Sequence, residues 1–265
     1  MRLIVTRAAM VALFILALQP TAHAQFDKFP GVLKNYEIGY GYTKTWAELK
    51  RKEKTVRPGD GRVYDTTTTS DVSSKFGFSV ATGTIIPLKQ LGLKSKLALG
   101  INAIYNSYVW DYPTLSSATL TDSGIHYIYG DFGFGGVTLN AGVAISADFK
   151  FGCDAMMDKR IRWAWTGGAG VMPSVSFTSD FANLDYNFGV QPFVKTEVGI
   201  FGGILCKLRL MYAMGTLKYI DSKPALGFFD NSTSTTQLLG KGNFTASIIL
   251  MPLSFMYKKS AWYNP

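Results

Sequence analysis

Long segments in which apolar residues alternate with small or polar ones constrain the fold of this chain more than any other feature. In residues 137–151 every odd position is apolar, whereas most even positions carry Thr, Asn, Gly, Ser, Asp or Lys. A repeat of two places successive side chains on opposite faces of a β-strand. The segment is also longer than the roughly 9 to 11 residues with which a tilted strand crosses a bilayer. It therefore predicts a membrane-spanning strand with one face in hydrocarbon.

Further segments repeat this pattern with more interruptions: residues 36–46, 72–84, 93–109, 124–134, 161–177, 184–201, 204–217 and 244–257. The alternation changes phase near Pro192 and Pro252, which predicts a bulge or a strand boundary at each. Gly135 and Gly136 form a short turn signal, so we expect segment 124–134 to pair with segment 137–151 as a hairpin.

The spacing of these segments favours a membrane barrel. Polar stretches at residues 47–70, 111–123 and 221–241 alternate with short connections such as residues 87–92. Long loops on one side and short turns on the other are typical of outer-membrane barrels, which in bacteria have even strand numbers. We therefore predict an all-β fold, a closed antiparallel up-and-down transmembrane β-barrel of about 8 to 10 strands, with ten favoured if residues 161–201 contain an additional strand.

The N-terminus has the pattern of a secretory signal peptide. Two arginines, Arg2 and Arg7, precede an apolar run at residues 8–18, and Ala22-His23-Ala24 is a small-x-small cleavage signal. We predict that residues 1–24 are cleaved and that residues 25–265 form a single barrel domain. Cleavage would remove two of the 27 basic residues and none of the 18 acidic ones, which leaves 25 against 18 and a net charge of +7.

In its strand pattern and signal peptide, the chain resembles the small outer-membrane β-barrel proteins of Gram-negative bacteria. The resemblance implies localisation in the outer membrane, contact with membrane lipids including lipopolysaccharide, and recognition by the outer-membrane insertion machinery. The chain differs from many such proteins at its end, where it runs past Tyr257 to Pro265 instead of finishing on an aromatic residue. An exported chain gives no reason to expect a nucleic-acid partner, and a protein partner stays open.

Charged residues fall on the polar faces of the predicted strands. They are candidates to face the lumen: Glu37, Lys75, Lys96, Asp148, Lys150, Asp185, Lys207 and Arg209. Opposite charges inside a narrow barrel are expected to pair, since a buried unpaired charge is costly; a selectivity ring is the alternative. A basic run in the first polar stretch is a candidate to bind lipopolysaccharide phosphates, the alternative being simple solvation: Lys50, Arg51, Lys52 and Lys54.

No catalytic pattern emerges from the sequence. The predicted mature chain has one histidine, His126, and the nearby Asp122 and Ser123 do not define a triad, because neighbours on a strand point to opposite faces. We expect a non-enzymatic barrel with a structural, adhesive or small-solute permeation role, and no cofactor or metal. The alternatives are an outer-membrane lipid hydrolase that uses His126 and a soluble secreted β-sandwich. Whether Cys153 and Cys206 form a disulfide stays open.

Overall fold

A computed structural model describes residues 35–56, 61–112, 114–121, 124–130, 135–156, 161–179, 184–221, 225–226 and 233–256. Its strands in chain order are β1 (Glu37–Val56), β2 (Val63–Gly92), β3 (Ser95–Trp110), β4 (Thr114–Thr121), β5 (Gly124–Gly130), β6 (Gly136–Gly152), β7 (Trp163–Ser179), β8 (Leu184–Phe201), β9 (Leu205–Asp221), β10 (Ala225–Leu226) and β11 (Thr233–Met251). A one-turn helix, α1 (Cys153–Met156), follows β6, and a 3-10 helix (Pro252–Met256) follows β11. The predicted signal peptide lies outside the described residues.

Eight of these strands form a closed antiparallel ring, in the order β1, β2, β3, β6, β7, β8, β9 and β11. Pairing of β11 with β1, from Ile38 opposite Leu250 to Lys54 opposite Thr233, closes the ring. The predicted all-β barrel is confirmed. The β-sandwich alternative is wrong, because two packed sheets do not join through a continuous ladder.

The favoured count of ten strands is wrong, and eight strands form the ring. Residues 161–201 contribute only β7 and β8 in the described part. The predicted barrel strand at residues 124–134 is also wrong, because β5 pairs with β4 in a separate two-stranded sheet. Strand β6 pairs instead with β3, with Trp110 opposite Gly136. A hairpin inserted between β3 and β6 shows the same alternation as a ring strand, so the pattern alone does not separate them.

The outer surface of the ring is apolar. On β6 the even positions from Thr138 to Lys150 are buried except Gly142, and the odd positions face outward, as the alternation predicts. Outward residues on the other strands include large exposed side chains: Ile38, Tyr40, Tyr42, Phe76, Phe78, Tyr105, Trp163, Trp165, Phe188, Val194, Ile200, Leu208 and Tyr212. A closed ring satisfies its backbone internally, so this belt can lie in hydrocarbon. No helix among the described residues has the length and apolarity to cross a membrane.

The two predicted interruptions have different outcomes: the one near Pro192 is not observed, whereas a strand boundary does lie at Pro252. Strand β8 alternates without interruption, with Gln191 and Phe193 buried and Pro192 and Val194 exposed. Phe193 misled the sequence reading because it is an apolar side chain that packs inside the barrel. At Pro252 the strand ends, since β11 stops at Met251 and the 3-10 helix begins.

Three strands continue beyond the apolar belt as a protruding sheet. The outward side chains of β1 are apolar or aromatic at Ile38, Tyr40, Tyr42 and Trp46 and become polar from Glu48 onward. Here β1 lies between β2 and β11, and the register continues to Lys54 opposite Asp65 and Thr233. In the described parts of the predicted loops at residues 47–70 and 221–241, most residues therefore lie in strands. The sequence did not predict these strands, because their side chains point alternately to the two faces but are polar on both.

Candidate functional site

Nine charged side chains meet inside the barrel near the short-turn end, where β1 begins. Each is at most 6% exposed, and together they form the interior charge cluster: Glu37, Lys96, Asp148, Lys150, Asp154, Lys195, Glu197, Lys207 and Arg209. They project from β1, β3, β6, β8 and β9 and from α1. The inward face of each strand supplies one or two of them, because i and i+2 residues share a face.

Two glutamates and two cations form the centre of this cluster. Lys207 and Arg209 both contact Glu37. Arg209 Nε also donates to Glu197 Oε1 at 2.6 Å, and Lys207 Nζ lies 2.9 Å from Glu197 Oε2. Charge-assisted bonds of this kind are the strong ones in proteins. The four residues cross-link β1, β8 and β9 through the barrel interior.

Helix α1 brings one further carboxylate, Asp154, into the cluster. Lys150 contacts Asp154, and Lys207 Nζ lies 3.3 Å from Asp154 Oδ2. Burial raises the pKa of the Asp154 carboxyl, but the ammonium groups of Lys150 and Lys207 lower it more, so the net pKa lies well below its ordinary value. Asp154 is therefore ionised at neutral pH.

Asp148 and Lys195 form the upper edge of the cluster, with Nζ and Oδ2 2.9 Å apart. Two inward glycines leave the space for this pair. A Cβ at Gly168 would lie 2.3 Å from Asp148 Oδ1, and one at Gly100 would lie 2.7 Å from Asp148 Oδ2. These two positions need glycine because the ion pair occupies the volume of a side chain.

The cluster contains five cations and four carboxylates. Lys96 is 3% exposed and, among the described residues, forms no ion pair within 4.0 Å. Its register partner on β6 is another lysine, Lys150. The excess positive charge of the interior therefore resides at Lys96.

Six of the predicted lumen-facing charges lie in this cluster: Glu37, Lys96, Asp148, Lys150, Lys207 and Arg209. The prediction for Lys75 is wrong, because an irregularity between Ser74 and Phe76 breaks the alternation and leaves Lys75 exposed, 3.6 Å from Asp111. Asp185 is half-buried at the other end of the barrel, where it accepts a hydrogen bond from the backbone N–H of Asp221.

Sequence reasoning missed three members of the cluster. Lys195 and Glu197 lie at i and i+2 on the same face as Gln191, so reading β8 without a phase change would have found them. Asp154 gave no such signal, because it follows the strand and reaches the interior only through the turn of α1.

Apolar layers lie on both sides of the charges. Next to the short turns, Cys153, Phe201, Leu205 and Met251 pack together. On the other side lies a middle layer that includes Ile104, Met172, Phe193 and Met211. Cys206 is exposed on the outer face and Cys153 is buried inside, and both are free thiols.

A third layer, rich in aromatic residues, fills the end that bears the protruding sheet. Tyr108, Trp110 and Tyr219 contact one another, with ring centroids 5.3 to 6.3 Å apart. The indole N–H of Trp110 donates to Thr138 at 2.8 Å, and Asn243 donates to the Tyr108 hydroxyl. Buried side chains thus occupy the barrel at every level from Met251 to Leu238.

The outward face of the protruding sheet carries a second, exposed set of charges. Lys50, Lys52 and Lys54 lie at alternate positions of β1, on the side opposite the buried Leu49, and we call them the lysine column. Lys50 and Lys52 have hydroxyl or amide residues as register neighbours, namely Thr67, Thr69, Thr235 and Gln237, whereas Lys54 lies opposite Asp65 on β2 and Thr233 on β11. Arg51, the remaining member of the basic run, lies on the other face.

Two carboxylates near the lysine column, those of Glu48 and Asp71, are already engaged by another cation. Lys241 Nζ lies 3.3 Å from Glu48 Oε2 and 2.6 Å from Asp71 Oδ1. Among the described residues, none of the three column lysines has a carboxylate within 4.0 Å. The column therefore presents three ammonium groups spaced roughly 7 Å apart along the strand. None of them forms an ion pair with a described residue, and only Lys54 among them has a carboxylate, Asp65, as a register neighbour.

Neither region contains a group of described side chains suited to hold a metal ion. No group of three His, Cys, Asp or Glu residues suited to a metal ion occurs among the described residues. His126 lies on β5, opposite Thr119 in the separate hairpin, and its side chain is outside the described part.

Comparison with known proteins gives structural similarities alone. No protein-family model and no curated protein matches the sequence. The attachment invasion locus protein Ail of Yersinia pestis is similar at 8% identity and a TM-score of 0.25, over 77% of this chain and 99% of that one. The monoaromatic hydrocarbon channel CymD is similar at 10% identity and a TM-score of 0.23, over 82% and 87%. At these values the similarities carry no inference, and the fold assignment rests on the strand pairing of the chain itself.

Proposed function

We propose that the protein is a non-enzymatic outer-membrane β-barrel that anchors a protruding β-sheet at the cell surface, in a structural or adhesive role. The observation that carries this proposal is the filled interior. Three clusters of apolar side chains, the interior charge cluster and buried polar side chains such as Asn102, Asn140 and Gln191 occupy the described part of the barrel from end to end. Eight-stranded barrels are just wide enough for side chains to fill them.

Permeation of small solutes is less well supported than anchoring. A solute path needs polar side chains that face open space, whereas the described interior charges are nearly all bound to one another. Opening a path would require breaking several charge-assisted bonds in a region of low dielectric constant, which is costly.

Planar bilayer recording tests the filled interior. We expect protein refolded in lipid to give no steady conductance above the baseline of the empty bilayer. Protein boiled in detergent and left unfolded serves as the control for artefactual currents. Large, stable conductance steps from refolded protein contradict the proposal and make permeation the leading function.

Labelling of intact cells tests the orientation. In a Cys206→Ser background, Thr67→Cys places a thiol on the protruding sheet and Gly202→Cys places one in a short turn at the opposite end. We expect a membrane-impermeant maleimide to label the first in intact cells and the second only after permeabilisation. The reverse pattern contradicts display of the sheet at the cell surface.

The lipid-hydrolase alternative is tested through His126. Phospholipid and lipopolysaccharide are incubated with refolded wild-type protein and with His126→Ala. We expect no release of acyl chains by either protein. Release that is lost in His126→Ala would establish the enzyme instead.

A further inference from the structure

We propose that the lysine column binds the phosphate groups of a phosphorylated glycolipid. This lipid carries several sugars and lies in the outer leaflet around the barrel. This inference rests on the proposed function for the orientation of the barrel. It adds a ligand class and a binding surface to it.

The position of the column relative to the belt indicates a ligand held in the membrane. On the outward face of β1 the apolar belt ends at Trp46, a residue type enriched at the boundary between lipid and water. The lysines follow on the same face, which is the face turned toward surrounding lipid. Their ammonium groups therefore project sideways over the head groups rather than into the space above the barrel.

The height of the column selects the class of lipid. With a rise of about 3.4 Å per residue and a strand tilt near 40°, Lys50 lies roughly 10 Å and Lys54 roughly 20 Å above Trp46. The head-group layer of a phospholipid leaflet is only about 5 to 8 Å thick. A phospholipid phosphate therefore reaches at most the base of the column, whereas a chain of phosphorylated sugars extends along it.

The chemistry of the column matches phosphate and sugar together. Each ammonium group offers three donors to phosphate oxygens and forms no ion pair with a carboxylate among the described residues, although Asp65 lies opposite Lys54 in the ladder. Thr67, Thr69, Thr235 and Gln237 flank the lysines and supply groups that donate to and accept from sugar hydroxyls. A soluble sulfated or phosphorylated polymer also carries negative charge, but it is not anchored in the membrane beside the column.

The proposal is tested by binding of refolded protein in lipid nanodiscs to four probes. The probes are lipopolysaccharide with a phosphorylated core, the same lipopolysaccharide after enzymatic dephosphorylation, phosphatidylglycerol and soluble heparin. We expect the phosphorylated lipopolysaccharide to bind at least tenfold more tightly than the other three. Equal binding of the dephosphorylated form overturns the proposal. Equal binding of phosphatidylglycerol also overturns it. Equal binding of heparin overturns it as well and assigns the surface to soluble polyanions.

A matched pair of variants locates the binding site. Lys52→Gln combined with Lys54→Gln removes two charges from the column, and Lys89→Gln combined with Lys94→Gln removes two exposed charges at the opposite end of the barrel. Since a lysine near an anionic surface contributes about a fivefold change in affinity, we expect the first variant to bind roughly 25-fold more weakly. The second should bind as wild type, and equal losses in the two variants overturn the proposal.

The two proposals fail in distinguishable ways. Heat-modifiable mobility in gels shows whether each variant is folded, and these exposed positions are expected to leave it unchanged. If Thr67→Cys is labelled from outside the cell but the protein does not prefer phosphorylated lipopolysaccharide in the binding assay, only the glycolipid site is refuted. Labelling from the opposite side refutes the orientation on which both proposals depend.

Discussion

The interior charge cluster and the lysine column both contain lysines, in opposite surroundings. Inside the barrel, each of the four carboxylates contacts at least one cation, and every member is at most 6% exposed. On the protruding sheet, the column lysines have no described ion-pair partner. A charge in water needs no partner, whereas a buried charge is costly without one. The first set therefore maintains the fold, and the second set remains available to a ligand.

The largest expected effect comes from breaking the interior cluster at Lys207. This ammonium group contacts Glu37, Asp154 and Glu197, so Lys207→Met leaves three buried carboxylates undercompensated. We expect the free energy of unfolding in lipid vesicles to fall by about 3 to 5 kcal/mol, measured by urea titration. Lys52→Met on the exposed column is the control, with an expected change within about 0.5 kcal/mol. Similar losses in the two variants contradict the comparison.

The next largest effect contrasts two outward positions on either side of the membrane boundary. Ile145 is 39% exposed on the outward face of β6, within the belt, and Thr67 is exposed on the protruding sheet. Ile145→Arg should cost about 2 to 4 kcal/mol, because an arginine near the bilayer midplane faces hydrocarbon. Thr67→Arg faces water and should change stability little. Unfolding in matched vesicles measures both, and equal stabilities would mean that the belt does not lie in lipid.

A smaller effect is expected from crowding one ion pair. Gly168→Ala places a methyl group against Asp148 Oδ1 and should cost about 1 to 3 kcal/mol, since the buried pair must shift. Gly202→Ala is the control, because no heavy atom lies within 4 Å of its Cβ position. The same denaturation assay measures both variants. A neutral Gly168→Ala would show that the Asp148–Lys195 pair has room to move.

The smallest effect is expected at Lys96, the cluster cation without a described ion-pair partner. Lys96→Met removes a buried charge, and every carboxylate of the cluster keeps its nearest cation. Stability should therefore fall by less than about 1 kcal/mol or increase. Comparison with Lys207→Met in one unfolding series provides the measurement. A loss as large as that of Lys207→Met would show that Lys96 is bound within the cluster after all.

Sequence alternation predicted the barrel and the faces of its regular strands, because a period of two is visible wherever one face is apolar and the other is not. On β6 this gave the inward positions of Asp148 and Lys150 correctly. The pattern failed where apolar residues face inward, as Phe193 does, and where both faces are polar, as along Thr66 to Ser70.

Other features depend on contacts that no local pattern encodes. The displacement of Lys75 follows from an irregularity in the ladder between β2 and β3, and Asp154 reaches the cluster through a single helical turn. The pairing of β4 with β5, rather than of β5 with β6, forms because residues 114–121, which lie in a predicted polar loop, make a strand. Of the candidate sites, the exposed basic run could be identified from the sequence. That Lys52 points outward and Arg51 lies on the other face became clear only when the segment was seen to be a strand.

The buried side of the protruding sheet affects how the outer side binds. Ala47, Leu49 and Leu238 continue the apolar interior beyond the level of Trp46, so packing and two ladders hold the backbone beneath the lysines. A ligand that binds there has no loop to order, and its entropic cost is limited to the lysine side chains, about 0.5 to 1.5 kcal/mol for each one immobilised. The sheet is thus preorganised. Even when each contact with a ligand is weak, most of the free energy of these contacts contributes to affinity.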